Sequence, residues 1–244
     1  MVLAVVALCC ARSDEGKAIT LQSQAPEASA TPSLAQPSTT AAESQKRTPG
    51  FFVMIDPSHG GNDKGATFGG KLMEKDITLR LARELRKELE ERGIAARLLR
   101  ESDVDLSIDR RAEVTNEQRA GIYVAVHAGR PGKGVRVYAP VLTEAQPPAG
   151  RFMPWESAQS GALPRSQNVA RAISEELKKK GMTVASMGLP LRPLNNIATP
   201  AIAVELAPDE EGLQSLESQK RQNNVATAIA LGIVQFRSQT GARQ

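Results

Sequence analysis

The segment FFVMIDPSHGGNDKGATFGGKLMEKDITLRLARELRKELEERG (51–93) determines the fold class. It opens with the apolar run FFVMID (51–56), which Pro57 ends, and this pattern is typical of a short buried strand. After a glycine-rich connection, Ile or Leu recurs at every fourth position, which predicts an amphipathic helix over residues 74–92. Gly93 stands where helices commonly end in a left-handed glycine. The segment therefore predicts a strand, a loop and a helix in succession.

The same alternation continues along the chain. Further apolar runs predict strands at 95–99, 122–127, 134–139 and 201–206, and periodic segments predict helices at 107–119, 164–180 and 219–237. Strands that alternate with helices predict an α/β fold, with a mostly parallel twisted sheet flanked by helices on both faces. We place this single domain at residues 50–240.

Residues 140–163 interrupt the alternation. The segment contains four prolines, two glycines and Trp155, and it shows no periodicity. We interpret it as an exposed loop near the functional site; a surface loop without a role is the alternative. Its prolines argue against a long helix in this segment, of the kind that could cover a substrate-binding groove.

The first 49 residues differ in composition from the rest. MVLAVVALCCA (1–11) has about the 7–15 apolar residues of a signal-peptide core and is shorter than the roughly 20 residues that span a membrane. We expect an exported protein, periplasmic or associated with the cell envelope. A membrane tether or a lipid anchor at Cys9 or Cys10 is one alternative, and a fortuitously apolar N-terminus is another. Residues 12–49, rich in Ala, Pro, Ser and Thr, predict a disordered linker.

Composition narrows the function classes. Hydrophobic residues make up 41% of the chain, enough for a core, whereas aromatic residues make up 3%, which argues against a stacking platform for nucleic acid. The only cysteines are Cys9 and Cys10, so a metal in the folded part would need His, Asp or Glu ligands. The net charge of +4 is modest and usually indicates solubility, and it would not hinder approach to an anionic polymer. We expect a monomer that binds no nucleic acid.

Polar residues with metal-binding side chains follow or end three of the predicted strands. His59 follows the first strand, His127 ends the third, and Glu205 lies near the end of AIAVEL (201–206), while Glu74 opens the first helix. Ligands gather at the carboxyl ends of parallel strands. Two imidazoles and one carboxylate form a recurring catalytic zinc set, and a second carboxylate would serve as the base. The residue types leave open which glutamate binds, and polar caps at strand ends remain the alternative.

Six motifs resemble, in order, those of the zinc-dependent N-acetylmuramoyl-L-alanine amidases of the bacterial cell wall (the amidase-3 group). The resemblance covers about residues 51–236. The motifs are IDPSHGGNDKGA (55–66), MEKDITLRLARELRKELEERG (73–93), LLRESD (98–103), IDRRAEVTN (108–116), IYVAVHAG (122–129) and PAIAVELAP (200–208).

The resemblance implies the site and the reaction. His59, Glu74 and His127 would hold one Zn²⁺ ion per chain, and Glu205 would act as the acid/base. The reaction would be hydrolysis of the amide between the lactyl group of N-acetylmuramic acid and L-alanine in peptidoglycan, with zinc activating the attacking water. The biological role would be cell-wall remodelling, separation of daughter cells or recycling.

Two further residues match the helix of the fourth motif. Arg111 and Asn116 correspond to its characteristic Arg and Asn. We interpret both as fold-stabilising residues that lie away from the ligands, because buried Arg and Asn usually bridge backbone.

Three positions depart from the family pattern. Ser58 and Gly129 stand where the family usually has Gly and Asn, and Ala207–Pro208 stands where it usually has a Gly-Phe pair. These changes concern neighbours of the substrate and no ligand. In PLRPLNNIATP (190–200), a purely structural turn is the favoured interpretation, and substrate contacts by Arg192 and Asn195 are the alternative prediction.

Two other functions compete with the amidase. One is a non-catalytic peptidoglycan-binding or regulatory module on an amidase fold; the presence of all three ligands and of the base argues against it. The other is a zinc peptidase that cuts a different amide, such as a stem-peptide crosslink, which the same residues would serve equally well.

Overall fold

The computed structural model describes residues 50–129, 132–142 and 155–241. The predicted N-terminal segment (1–11), the predicted linker (12–49) and residues 143–154 of the predicted loop lie outside these residues. In chain order the elements are β1 (Phe52–Pro57), β2 (Thr67–Phe68), β3 (Leu72–Met73), α1 (Glu74–Glu90), β4 (Ala95–Leu98), α2 (Ile108–Glu117), β5 (Ile122–Ala128), β6 (Val135–Pro140), α3 (Leu163–Lys179), β7 (Val184–Leu189), β8 (Ala201–Leu206) and α4 (Gln219–Gly241). Short 3₁₀ turns occupy Trp155–Ser157, Leu194–Asn196 and Leu213–Leu216.

Six strands form one sheet in the order β4-β1-β5-β8-β6-β7, and β2 and β3 form a separate antiparallel pair. Within the sheet, β6 pairs with β8 in antiparallel fashion, and the other four pairings are parallel. The predicted mostly parallel sheet is therefore confirmed. As a consequence, the carboxyl ends of β1, β5 and β8 lie at one edge, together with the start of β6.

Helices cover both faces of the sheet, as predicted. Along β1, Val53 and Ile55 point into the core formed with α1, α3 and α4. Their neighbours Phe52 and Met54 point into a second core on the opposite face, beside Ala112 of α2. This alternation follows from the strand period of two, and burial on both faces explains why β1 is apolar from Phe52 to Ile55.

Helix α1 carries the predicted apolar stripe. Ile77, Leu81, Leu85 and Leu89 are all fully buried, and each such side chain contributes about 1.5–3 kcal/mol to stability. The helix ends at Glu90, and Gly93 follows in the left-handed region at φ +72°. The stripe anchors α1 against the sheet, so its first residue is held in a defined place at the sheet edge.

Two features were not predicted. Strand β7 at the sheet edge has mostly exposed residues and a sequence, VASMGL, without alternation; pairing with β6 creates it. The short β2–β3 pair likewise depends on its partner. No helix within the described ranges is both long and apolar enough to cross a membrane.

Candidate metal centre and active site

The three predicted metal ligands come from separate elements that meet at the sheet edge. His59 lies two residues past β1 in the connection to α1, Glu74 is the first residue of α1, and His127 lies near the end of β5. The Glu74 carboxylate oxygen Oε1 is 3.2 Å from His59 Nε2 and 3.0 Å from His127 Nδ1. One donor atom from each residue lies within 4.8 Å of the other two. The structure therefore brings the three side chains together as a possible metal centre.

Each imidazole is oriented by a second hydrogen bond on its outer nitrogen. His59 Nδ1 lies 2.8 Å from a carboxylate oxygen of Asp63, and His127 Nε2 lies 2.9 Å from the hydroxyl of Ser58. The inner nitrogens contact Glu74 here, and with the outer nitrogen held in this way each could exchange its proton for a metal ion. Ser58, which departs from the family pattern, is thus a partner of a predicted ligand.

The Glu74 carboxylate is held in its charged form. Burial opposes its ionisation, but hydrogen bonds from His127, His59 and the Ala66 amide outweigh burial and hold the pKa of Glu74 well below its usual range. The Ala66 amide donates to Oε2 at 2.9 Å, and the Ala128 amide donates to Oε1 at 3.1 Å. A buried carboxylate between two imidazoles suits a divalent cation.

Two buried arginines hold the backbone of the His59 loop. His59 has φ +64°, a conformation that costs a non-glycine residue about 1–3 kcal/mol. Arg111 donates to the His59 carbonyl at 2.9 Å and pairs with the buried carboxylate of Asp56. Arg100 donates to the Pro57 carbonyl at 2.8 Å. The expectation that Arg111 lies away from the ligands is wrong, because α2 packs beneath this loop.

We expect Arg111→Met to lower the free energy of unfolding by about 3–5 kcal/mol, because it leaves the charge of Asp56 buried without its cationic partner. Asp56 is 1% exposed. Arg110→Met on the same helix is the matched control, since its ion pair with Glu113 is solvent-exposed and is worth about 0–1 kcal/mol. Urea unfolding measures both; equal losses in the two variants would contradict the prediction.

Glu205 lies beside the cluster but does not belong to it. On β8 it is the direct neighbour of His127 across the β5–β8 pairing. Its carboxylate accepts hydrogen bonds from Arg136 at 2.6 and 2.9 Å and from the Tyr138 hydroxyl at 2.5 Å. Burial raises the pKa of Glu205, but these contacts outweigh burial and lower it. Burial and the contact with Glu205 raise the pKa of Tyr138 to about 12, so its hydroxyl stays protonated.

A cavity of about 480 Å³ opens on the candidate metal ligands His59, Glu74 and His127 and on Glu205. Its remaining wall is largely apolar and comprises Ala66, Ala128, Gly129, Tyr138, Leu189, Leu191 and Ala203. A bound molecule could therefore contact the three predicted ligands and the predicted base at the same time. This is the arrangement required for metal-assisted hydrolysis.

Arg192 and Asn195 have other partners. Arg192 forms an ion pair with Asp109, and Asn195 donates to the Val141 carbonyl at 3.2 Å. Neither side chain lines the cavity that contains the metal cluster. Their role in substrate binding stays a prediction.

Asn116 bridges α2 to the segment before β8. Its amide donates to the Asn196 carbonyl and accepts from the Ala198 amide, both at 2.9 Å. These are the backbone contacts expected of a fold-stabilising residue.

Three residues of the site were not identified from the sequence: Asp63, Arg136 and Tyr138. The alternation of Arg136 and Tyr138 in GVRVYA (134–139) places both on one face of β6. That signal does not reveal their partner, because nothing local indicates that β6 runs antiparallel beside β8.

Comparison with known proteins identifies the family. Residues 53–235 match Amidase_3, N-acetylmuramoyl-L-alanine amidase. The chain belongs to this family.

Similar proteins agree with this assignment. The germination-specific N-acetylmuramoyl-L-alanine amidase of Bacillus subtilis strain 168 is 28% identical over 79% of this chain and 82% of its own length. The amidase AmiC of Neisseria meningitidis is 28% identical over 75% of this chain but 52% of its own length, so the chain spans about half of that relative.

Solved structures support the fold. The amidase AmiC2 of Nostoc punctiforme superposes with a TM-score of 0.60 and 25% identity, over 77% of this chain and 97% of that one. The catalytic domain of the amidase CwlV from Bacillus (Paenibacillus) polymyxa var. colistinus gives a TM-score of 0.62 at 23% identity, over 77% and 98% of the two chains. Family and relatives together support a peptidoglycan amidase activity.

Proposed function

We propose that the chain is a zinc-dependent N-acetylmuramoyl-L-alanine amidase, which hydrolyses the amide between the lactyl group of N-acetylmuramic acid and L-alanine. The observation that carries this proposal is the cluster of His59, Glu74 and His127 in one cavity with Glu205. The family match supports the choice of substrate.

The donor set fits zinc. Two imidazoles and one carboxylate leave a tetrahedral site with one position for water or substrate. When bound, zinc supplies a Lewis acid that polarises a carbonyl and makes water nucleophilic near neutral pH. His59, Glu74 and His127 would hold it, while Asp63 and Ser58 orient the two imidazoles.

We assign Glu205 the proton transfers. Its lowered pKa keeps Glu205 a carboxylate at neutral pH, and in that form it can accept a proton from the attacking water. Once protonated, the same low pKa makes it a strong acid beside the leaving nitrogen. That property suits the step in which the amine of L-alanine must be protonated before it departs.

The product of the reaction tests the proposal. We expect purified protein with zinc to release stem peptides with a free L-alanine amine from peptidoglycan and to leave the glycan strands intact, as detected by mass spectrometry. A chelator should abolish release, and added Zn²⁺ should restore it. Products cut only at crosslinks would instead identify a peptidase, and no product at all would favour the non-catalytic binding module.

The substrate suggests where the chain acts. Peptidoglycan lies outside the cytoplasmic membrane, so we propose an exported protein in the cell envelope, acting as a monomer on this polymer. Wall remodelling, daughter-cell separation and recycling remain the candidate roles. The relatives named as N-acetylmuramoyl-L-alanine amidases support this substrate, from which the location is inferred.

A further inference from the structure

In this structure Glu205 leaves no space for a side chain at position 129. Gly129 is not among the residues with a left-handed backbone, so its conformation does not call for glycine. A Cβ atom built there would lie 1.5 Å from Glu205 Oε1 and 2.6 Å from its Cδ. Such distances do not occur between non-bonded atoms. The Glu205 carboxylate therefore occupies the space that any side chain at position 129 would fill.

Two residues of β6 hold the carboxylate in that space. Arg136, the direct neighbour of Glu205 across the β6–β8 pairing, donates to both of its oxygens. Two residues further along the strand, Tyr138 donates its hydroxyl to Oε2. A carboxylate has about four lone-pair sites, and these three hydrogen bonds occupy three of them. One site therefore remains available to the cavity that Glu205 lines.

We propose that Gly129, Arg136 and Tyr138, together called the Glu205 clamp, are positioning residues that fix the acid/base carboxylate beside the metal centre. This inference rests on the proposed function of Glu205. A catalytic group that is misplaced by about 1 Å can cost about 10²-fold in rate, so loss of the clamp is expected to lower turnover. The side chains of Arg136 and Glu205 are only 12% and 17% exposed, so thermal unfolding of each variant is needed to separate an effect on folding from the effect on turnover.

Gly129→Ala tests the steric part of the clamp. Because the atom it meets is the end of a flexible side chain, the variant should fold, and the Glu205 carboxylate should move instead. We expect kcat to fall by about 10²-fold, with KM changed by less than about threefold and with zinc content and Tm unchanged. Gly161→Ala is the matched control, since a Cβ there has no neighbour within 4 Å.

Tyr138→Phe and Arg136→Ala test the hydrogen bonds. Each should lower kcat with zinc content preserved, and added guanidinium should partly restore activity in Arg136→Ala.

Combining Gly129→Ala with Glu205→Gln should cause no loss beyond that of Glu205→Gln alone, because both changes act on one group. A purely structural role would not produce this non-additivity.

The outcomes separate the two proposals. If the wild-type protein releases no stem peptides, the proposed function fails. If the wild type is active and Glu205→Gln is inactive, but Gly129→Ala turns over like the wild type, only the clamp is overturned. An activity loss from Gly129→Ala that adds in full to the loss from Glu205→Gln would also overturn it.

Discussion

Glu205→Gln is expected to keep about one zinc ion per chain and to lose amide hydrolysis by about 10²–10⁴-fold, the usual contribution of general acid–base catalysis. Glutamine has the shape of glutamate, and its carbonyl oxygen can accept the hydrogen bonds from Arg136 Nε and the Tyr138 hydroxyl that Oε2 accepts, whereas the bond from Arg136 Nη2 is lost. The substitution therefore removes proton transfer and keeps two of the three hydrogen bonds that position the side chain. Initial rates of stem-peptide release and zinc content by elemental analysis measure the two effects.

The matched control for this variant is Glu210→Gln. Glu210 is exposed and pairs with Lys133 on the surface, so removal of its charge should leave both the rate and the zinc content unchanged. Turnover close to the wild-type rate in Glu205→Gln would remove Glu205 from the mechanism. Loss of zinc from the same variant would mean that Glu205 is a ligand, which the geometry does not indicate.

His59→Ala is expected to lose both zinc and activity. The substitution removes one of three donors, and the remaining pair, Glu74 and His127, cannot complete a tetrahedral protein site. Asp63→Asn provides a graded comparison, because it removes the charge of the group that orients His59 and leaves the three predicted ligands in place. Loss of such an outer partner typically costs about 10–100-fold in metal affinity or activity.

Competition with a chromophoric chelator ranks the zinc affinities, which we expect to fall from wild type through Asp63→Asn to His59→Ala. Thermal unfolding without metal checks that each variant is folded. Tight zinc retention in His59→Ala would place the ion elsewhere in the chain. Equal affinities in the wild type and Asp63→Asn would show that the second hydrogen bond of His59 does not affect binding.

Local patterns were sufficient to predict the elements that carry the ligands. The apolar run of β1 and the four-residue spacing of α1 follow from the burial of β1 on both faces and of α1 on one. Because parallel strands end at a common edge, the placement of His59 and His127 followed as soon as those strands were identified. The choice of Glu74 over Glu205 as ligand did not follow from spacing; it came from the resemblance to the amidases.

Pairing between distant segments determined what the sequence did not reveal. Strand β7 is exposed and lacks alternation, so only its hydrogen bonds to β6 make it a strand. Arg111 was expected far from the ligands, yet the packing of α2 under the first loop brings its guanidinium to the His59 carbonyl. Both outcomes depend on contacts between residues remote in the chain, which no local pattern encodes.

The sequence by itself determined the α/β fold class, the residue types of the metal cluster and the edge of the sheet at which they meet, because strand and helix periodicities are local properties. Only the tertiary structure decided the surroundings of Glu205. The antiparallel placement of β6 beside β8 sets Arg136 and Tyr138 against the carboxylate. The close approach of Glu205 to Gly129 leaves no space for a side chain at that position. Such cross-strand contacts exist only after the chain has folded.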